Sequence, residues 1–208
     1  MGGVETMELD KKELVKLVSY FVMGNGGIYK SSTHSYFSMN MLTKHTDYIQ
    51  WCQSVISQIT SCKTRDYIGG GCNNSELTNL ISRQHPFFTK IRDRVYTGVY
   101  RGIDSHALKL LDPQSLAILY MSDGSFCKDK RTQAEWAGRK VTLNLKRLSY
   151  GDLFILKKAL KELLNLEWNI HCQGKYRYLA LRTKDVNAFF DMVKPFIVPS
   201  FSYKIPND

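Results

Sequence analysis

The sequence predicts an α+β chain built twice over, and three observations predict it. Two apolar helices, LVKLVSYFVMGNGG at 14–27 and PQSLAILYMSDGSF at 113–126, each end in one polar residue and then glycine. Those polar residues, Asn25 and Asp123, stand 98 positions apart (123 − 25), close to half of the 208 residues. Around both, the elements follow one order: helix, glycine-rich break, strands, helix, strands, helix. Self-similarity at that spacing is the mark of a duplicated unit. The expected halves are 10–100 and 113–206, joined by a linker at 101–112.

Each element has a local reason. Residues 1–9 read as a frayed leader. Asp10 caps a helix over 11–23, with Glu13 at the capping-box position and Leu14, Leu17, Val18, Phe21 and Val22 at helical spacing. Gly24, Gly26 and Gly27 stop it. A short strand is expected around Tyr36–Met41. A helix over His45–Ile59 follows, its buried side supplied by Ile49, Trp51, Cys52, Val55, Ile56 and Ile59. Cys62–Ile68 alternates weakly as a strand, GGGCNN at 69–74 is a turn, and Glu76–Ile81 is ambiguous. His85-Pro86 opens a helix running toward Val95, and 97–112 is read as the connection.

The second half repeats the pattern. Pro113 suits a helix start, and that helix runs to about Met121, closed by Gly124. Val141–Leu145 alternates as a strand, with Thr142 and Asn144 opposite Val141, Leu143 and Leu145. Ser149–Leu164 is a helix whose apolar side is Leu153, Leu156, Leu160, Leu163 and Leu164. Trp168–His171 and Lys175–Arg182 form a hairpin about Gly174, and a last helix covers Asp185–Lys194.

Composition narrows the function. A net charge of +10, with a sequence pI near 9.3, suits a polyanion, and nucleic acid is the commonest one. No lysine-rich amphipathic helix points to a membrane surface, and no run reaches membrane-spanning length. Five scattered cysteines without a CxxC pair argue against a disulfide framework or a structural zinc site and fit an intracellular, reducing compartment. His34, His45, His85, His106 and His171 lack zinc-ligand spacing, no GxSxG elbow occurs, and Gly69-Gly70-Gly71 lacks a P-loop ending.

An aspartate at a helix C-terminus lies at the negative pole of the helix and calls for a cation. Small residues (Ser19 and Gly24 in one helix, Ala117 and Ser122 in the other) allow the two helices to pair closely and meet at their ends. A hard ion such as Mg²⁺ takes oxygen ligands. Carbonyls freed at a helix end can add to a carboxylate, which brings Gly24 and Ser122 into the candidate set. Metal-assisted phosphodiester hydrolysis uses such a group.

LAILYMSDGS at 116–125 resembles the second signature helix of the LAGLIDADG homing endonucleases, and YFVMGNGG at 20–27 resembles the first. HPFFTKIRDRVY at 85–96 is similar to the end of the first repeat, and PFIVPSFSYKI at 195–205 to the end of the second. Together these cover most of 12–206. The resemblance implies a pseudo-twofold monomer of two αββαββα halves. Two four-stranded antiparallel saddle sheets would lie over the DNA major groove, packed through paired signature helices. It also implies cleavage of both strands, with Mg²⁺ or another divalent cation held by one acid from each helix.

Carried over, the acid positions are Asp123, which matches, and Asn25, which does not. Asparagine keeps the size of aspartate and loses its charge. Three readings stay open for Asn25: a nicking enzyme, a chain that binds without cleaving as splicing maturases for intron RNA do, or an engineered substitution that traps a complex. Lys204, in the matching tail, is implied to lie near the active centre, and Gln173 or Arg182 could place a polar group there. Gln50 and Trp51 read as helix surface and core. Strand alternation nominates Lys30, Ser32, His34, Ser38, Asn40, Lys63, Arg65 and Asp66 as facing nucleic acid in the first half. In the second it nominates Lys128, Lys130, Arg139, Thr142, Asn144, Lys146, Lys175, Arg177 and Arg182. The expected partner is a double-stranded DNA site, with intron RNA as the alternative.

Overall fold

The computed structural model describes residues 8–69, 74–98, 100–128, 139–174 and 176–206. Two compact units divide the chain, Met1–Asp93 and Arg94–Asp208. In the first, α1 (Lys11–Met23) starts at Asp10, whose carboxylate accepts the Glu13 N–H at 2.7 Å. Glu13 itself pairs with Lys16 at 2.7 Å. Then come β1 (Gly26–Lys30), β2 (Ser35–Leu42), α2 (Thr46–Ser57), β3 (Cys62–Ile68), β4 (Glu76–Ser82) and α3 (Pro86–Val95). The four strands form one antiparallel sheet in the order β1-β2-β4-β3. One sheet face carries Ile28, Phe37, Met39 and Leu80, all buried under the helices. Phe37 meets Phe88 of α3, and Phe21 of α1 meets Trp51 of α2 edge-on with ring centroids 5.3 Å apart.

The second unit repeats the plan after a short insertion. β5 (Tyr96–Thr97) and β6 (Tyr100–Arg101) make a two-stranded pair, and α4 (Ser105–Leu108) is capped by buried Asp104. Asp104 also accepts from Arg94 at 2.9 Å, and the Ile103 N–H reaches Asp152 at 3.3 Å. The segment read as a connection is thus folded and tied to this unit. α5 (Pro113–Asp123), β7 (Gly124–Lys128), β8 (Arg139–Leu143), α6 (Tyr150–Leu164), β9 (Trp168–Gln173), β10 (Tyr176–Leu181) and α7 (Val186–Val193) follow. The sheet order is β7-β8-β10-β9, the same as in the first unit. Tyr120, Trp168 and Phe189 form the aromatic centre of its core.

Three local expectations are corrected. Not all the glycines after α1 and α5 lie in a break. Gly24 caps α1 as expected, but Gly26 and Gly27 open β1 after the two-residue turn Gly24-Asn25, and Gly124 opens β7 directly at the end of α5. That junction explains them: a Cβ on Gly26 would stand 2.8 Å from the Phe21 carbonyl oxygen, and one on Gly124 would stand 2.5 Å from that of Tyr120. On α6, Leu163 is half exposed, and Ala159 is buried beside Leu153, Leu156, Leu160 and Leu164. Asn144 and Leu145 fall beyond the end of β8. The turn expected at 69–74 lies largely outside the described residues.

Gly124→Ala is expected to destabilise the fold by about 1–3 kcal/mol, the range for forced overpacking. Gly151→Ala, on α6, has no atom nearer than 3.8 Å to its new Cβ. It should be neutral or stabilise by up to ~1 kcal/mol. Urea midpoints of the two variants check this; equal midpoints would refute the close-approach account.

Candidate active site

α5 is buried from Ser115 to Met121 and carries Asp123 out at its C-terminal end. Four carbonyls end a helix without partners. Here a cation from the same unit takes the nearby ones. The Lys204 ammonium donates to the carbonyls of Met121 at 2.7 Å, Gly124 at 2.8 Å and Tyr120 at 3.2 Å. Tyr120 returns the contact, its hydroxyl donating to the Lys204 carbonyl at 2.6 Å. The Asp123 carbonyl accepts from the Asn144 N–H at 2.8 Å. The Ser122 carbonyl is not in this set, and the Ser122 hydroxyl is buried without a hydrogen-bond partner. The cation expected at the helix end is therefore, for these carbonyls, a lysine.

The Asp123 carboxylate is half-buried. Burial holds its pKa above the usual carboxylate value, against Arg147, Arg101, Lys204 and Lys146, which all pull it down. Arg101 is buried, and burial together with the like charge of Arg147 lowers its pKa. Burial pushes Lys204 down to about 8, with Asp123 opposing. One carboxylate thus sits among four cations, leaving a surplus of positive charge that suits a phosphate. Arg101 and Arg147 were not nominated from sequence. Arg101 belongs to the stretch read as linker, and Arg147 follows β8 in a segment without periodicity.

Lys204→Met keeps the volume of the side chain and removes its three bonds. A loss of about 2 kcal/mol is expected, the range for charge-assisted hydrogen bonds to buried groups. The pH dependence carries a sign. A lysine whose folded pKa of about 8 lies below its ordinary 10.5 binds its proton first in the unfolded chain as pH falls. Stability should therefore drop between pH 10.5 and 8 and level off below 8. Denaturant midpoints across that window check both: a parent slope equal to that of Lys204→Met would refute the assignment.

Beside Asp123 lies a cleft of about 540 Å³ lined by Asp123, Asn144, Lys146, Gln173, Tyr176, Arg177 and Tyr178. It opens along the sheet face turned away from the helices. That face carries Ser125, Lys140, Thr142, His171, Gln173, Tyr176 and Tyr178, by alternation from buried Val141, Leu143 and Leu179. His171 stacks on Tyr178, and Lys140 donates to the Tyr178 hydroxyl at 3.2 Å. Lys146 lies 5.2 Å from the Tyr176 ring centre. Thr142 is present but buried, its hydroxyl bonded to Ser125 at 2.7 Å and Asn144 at 3.2 Å.

Other nominated residues are elsewhere. Arg139 shares the parity of Val141 and so turns to the helix side, 3.5 Å from Asn187 of α7. Arg177 shares the parity of Leu179 and lies over the Tyr150 ring, but at the exposed start of β10 it also lines the cleft. Arg182 is paired with Glu167. Lys128 ends β7, and Lys130 and Lys175 lie outside the described residues. In the first unit, Ser38, Asn40, Lys63 and Arg65 do lie on the open face. Lys30 shares the parity of buried Ile28, and Asp66 accepts from Thr78 at 2.6 Å on the helix side. Ser32 and His34 sit in the β1–β2 turn, where the Ser31 N–H bonds to the His34 carbonyl. Asn79 of β4, opposite Asn40, was missed because its strand was ambiguous in the sequence.

Asn25 directly precedes β1 in the first unit as Asp123, the last residue of α5, directly precedes β7 in the second. It is half-buried, and its amide N–H₂ reaches the Met41 sulfur at 3.1 Å. Gly24 is buried, its N–H bonded to the Tyr20 carbonyl. No group of three or more His, Cys, Asp or Glu side chains converges among the described residues. The Asp123 carboxylate and the Ser122 carbonyl, at the end of α5, are oxygen donors of the type that a hard divalent cation accepts.

The family model described as the LAGLIDADG DNA endonuclease family matches residues 6–189. An uncharacterized protein of Methanocaldococcus jannaschii, MJ1098, is 30% identical over 132 residues, 63% of this chain. This chain spans 49% of that relative's length. A probable intron-encoded endonuclease of Wickerhamomyces canadensis is 23% identical over 206 residues, covering 88% of this chain and 80% of its own. The homing endonuclease I-WcaI bound to its DNA recognition sequence has a similar structure, with a TM-score of 0.76 and 19% identity over 97% of this chain and 89% of that one. With the same strand order in both units, an acid at the end of α5 and a family match across most of its length, the chain belongs to the LAGLIDADG DNA endonuclease family.

Proposed function

We propose that this protein binds a specific double-stranded DNA site through the open faces of its two sheets and hydrolyses phosphodiester bonds with a divalent cation, Mg²⁺ in the cell. The observation that carries this is Asp123. It is a half-buried carboxylate at a helix end, beside a cleft on a sheet face and among four cations. Keeping it ionised works against stability, since burial favours its protonated form. Such an arrangement is expected where a charged ligand comes to the site.

Asp123 and the Ser122 carbonyl would hold a metal in the second unit; in the first unit the corresponding groups are the Gly24 carbonyl and the uncharged Asn25 amide oxygen. When bound, the ion supplies activation of water and stabilisation of charge on the phosphate. The chain's own residues do the rest. Lys204 fixes the last turn of α5 and so the direction of the Asp123 side chain. Arg101 and Arg147 partner the carboxylate before DNA arrives and offer charge to a phosphate afterwards. One chain holds both halves, so it acts as a monomer.

Asn25 favours a second reading, binding of DNA or of an intron RNA without double-strand cleavage. A neutral amide turned to the Met41 sulfur offers a metal less than a carboxylate would. The test is selection from randomised duplex and RNA libraries, followed by incubation of the selected ligand in Mg²⁺. Duplex enrichment with new ends supports the nuclease. Enrichment without new ends supports the binding-only reading, and no enrichment of duplex rejects the DNA proposal.

A further inference from the structure

The open face of the first sheet has a chemistry of its own, and it deepens the DNA-binding reading on which it rests. Asn40 and Asn79 stand directly opposite each other at its centre. The Asn79 amide N–H₂ donates to the Asn40 Oδ1 at 2.7 Å and to the Ser38 hydroxyl at 2.9 Å. With both hydrogens of Asn79 engaged inside the sheet, its Oδ1 is left as an acceptor. With Asn40 Oδ1 taken, the Asn40 amide N–H₂ is left as a donor. The pair offers one acceptor beside one donor, held in place by a side-chain network before any ligand binds.

Apolar groups flank it along the strands, while Arg65 of β3 stands directly beside Asn79. Leu42 and Leu77 form the next pair along the same face, and Ile81 stands opposite Ser38 on the other side. Leu42 and Ile81 are each more than a third exposed, as is Tyr67 opposite Leu77. Lys63 and Arg65 on β3 share the face, so its charge suits a polyanion. An uncovered face that is apolar along the strands on either side of a fixed amide pair, with cations at its edge, fits one surface closely: the major groove at A·T base pairs.

We infer that Asn40 and Asn79 together read one adenine, and that Leu42, Leu77 and Ile81 read the methyl groups of neighbouring thymines. Adenine presents an N6 amino donor and an N7 acceptor, which match the Asn79 Oδ1 and the Asn40 amide. Guanine presents two acceptors, so its O6 would oppose the Asn79 Oδ1. The thymine C5-methyl is the one apolar group on the major-groove edge. The half-site under this unit is therefore A·T-rich, with one strictly chosen adenine.

The test is selection of the full chain on a randomised duplex library in Ca²⁺, with Asn79→Arg, Asn40→Ala and Ile81→Ser selected in parallel. The parent should choose adenine at one position flanked by thymines, and a G·C pair there should weaken its binding about 10- to 100-fold. Asn79→Arg should move that same position to guanine, because arginine pairs bidentately with the guanine edge. Asn40→Ala should flatten the preference to less than about twofold, and Ile81→Ser should relax a neighbouring thymine. A parent that selects duplexes without such an adenine, or whose adenine survives Asn79→Arg and Asn40→Ala, overturns the inference and leaves DNA binding standing. A parent that selects no duplex overturns both.

Discussion

Asp123→Asn is expected to lower cleavage of a selected target by about 10³-fold while leaving binding intact, the scale on which loss of one group that stabilises developing charge is felt. The substitution keeps the side chain's size and removes the carboxylate that α5 carries at its end. Its four neighbouring cations would lose their counterion, so affinity for DNA should hold or rise. The companion change, Asn25→Asp, adds a carboxylate at the matching end of α1, where linear product should rise relative to nicked product. It places that charge at the negative pole of α1, so the metal-free protein should be less stable than the parent. A plasmid carrying the target, incubated in Mg²⁺ and scored for nicked and linear forms over time, measures both. If Asp123→Asn cuts at the parental rate, the catalytic assignment falls. If Asn25→Asp binds the target yet yields no more linear product, position 25 has no metal role, and binding without double-strand cleavage becomes the better account.

The duplicated plan was legible because it rests on strong local signals. Helices at apolar period, Pro113 at a start and Gly174 in a hairpin all depend on backbone chemistry that neighbours in space do not override. Asp123 was legible because a carboxylate at a helix end conflicts with the dipole there. What escaped has a physical reason in each case. The β1 and β7 strands begin with glycines, and glycine in sequence signals a turn far more often than a crowded helix-to-strand junction. Arg139 and Arg177 are polar residues in strands, and polarity alone does not say which face they share. One buried neighbour of known register settles it, and that register is a tertiary fact. Arg101 and Arg147 gather at Asp123 from segments without periodicity, through packing that no local pattern encodes. Lys204 was placed near the centre by its similarity to the family's tail; its three carbonyl partners belong to the fold.

Affinity for the selected duplex is expected to fall about 10³-fold between 50 and 200 mM salt, the span expected when about six phosphates are neutralised. The net charge of +10 alone would give only a general attraction, and a general attraction does not require contact. The structure places exposed cations where contact is possible: Lys63 and Arg65 on the open face of the first sheet, and Lys140 and Lys146 on that of the second. Exposed Arg147 beside Asp123 joins them, with buried Arg101 behind it, and about five to six released counterions give a slope of about −5 in log K against log salt. Arg139 and Arg182 are turned aside or paired, and they should contribute little: replacing either with glutamine should leave the slope unchanged. Replacing Lys63 and Arg65 together should make the slope shallower by about two, with affinity lowered evenly across sequences, since phosphate contacts position the protein without choosing a base. Fluorescence anisotropy of a labelled target across the salt range reads the slope directly. A slope shallower than about −2, or one that Arg139→Gln alters as much as Lys63→Gln does, would mean that the open faces are not where the duplex lies.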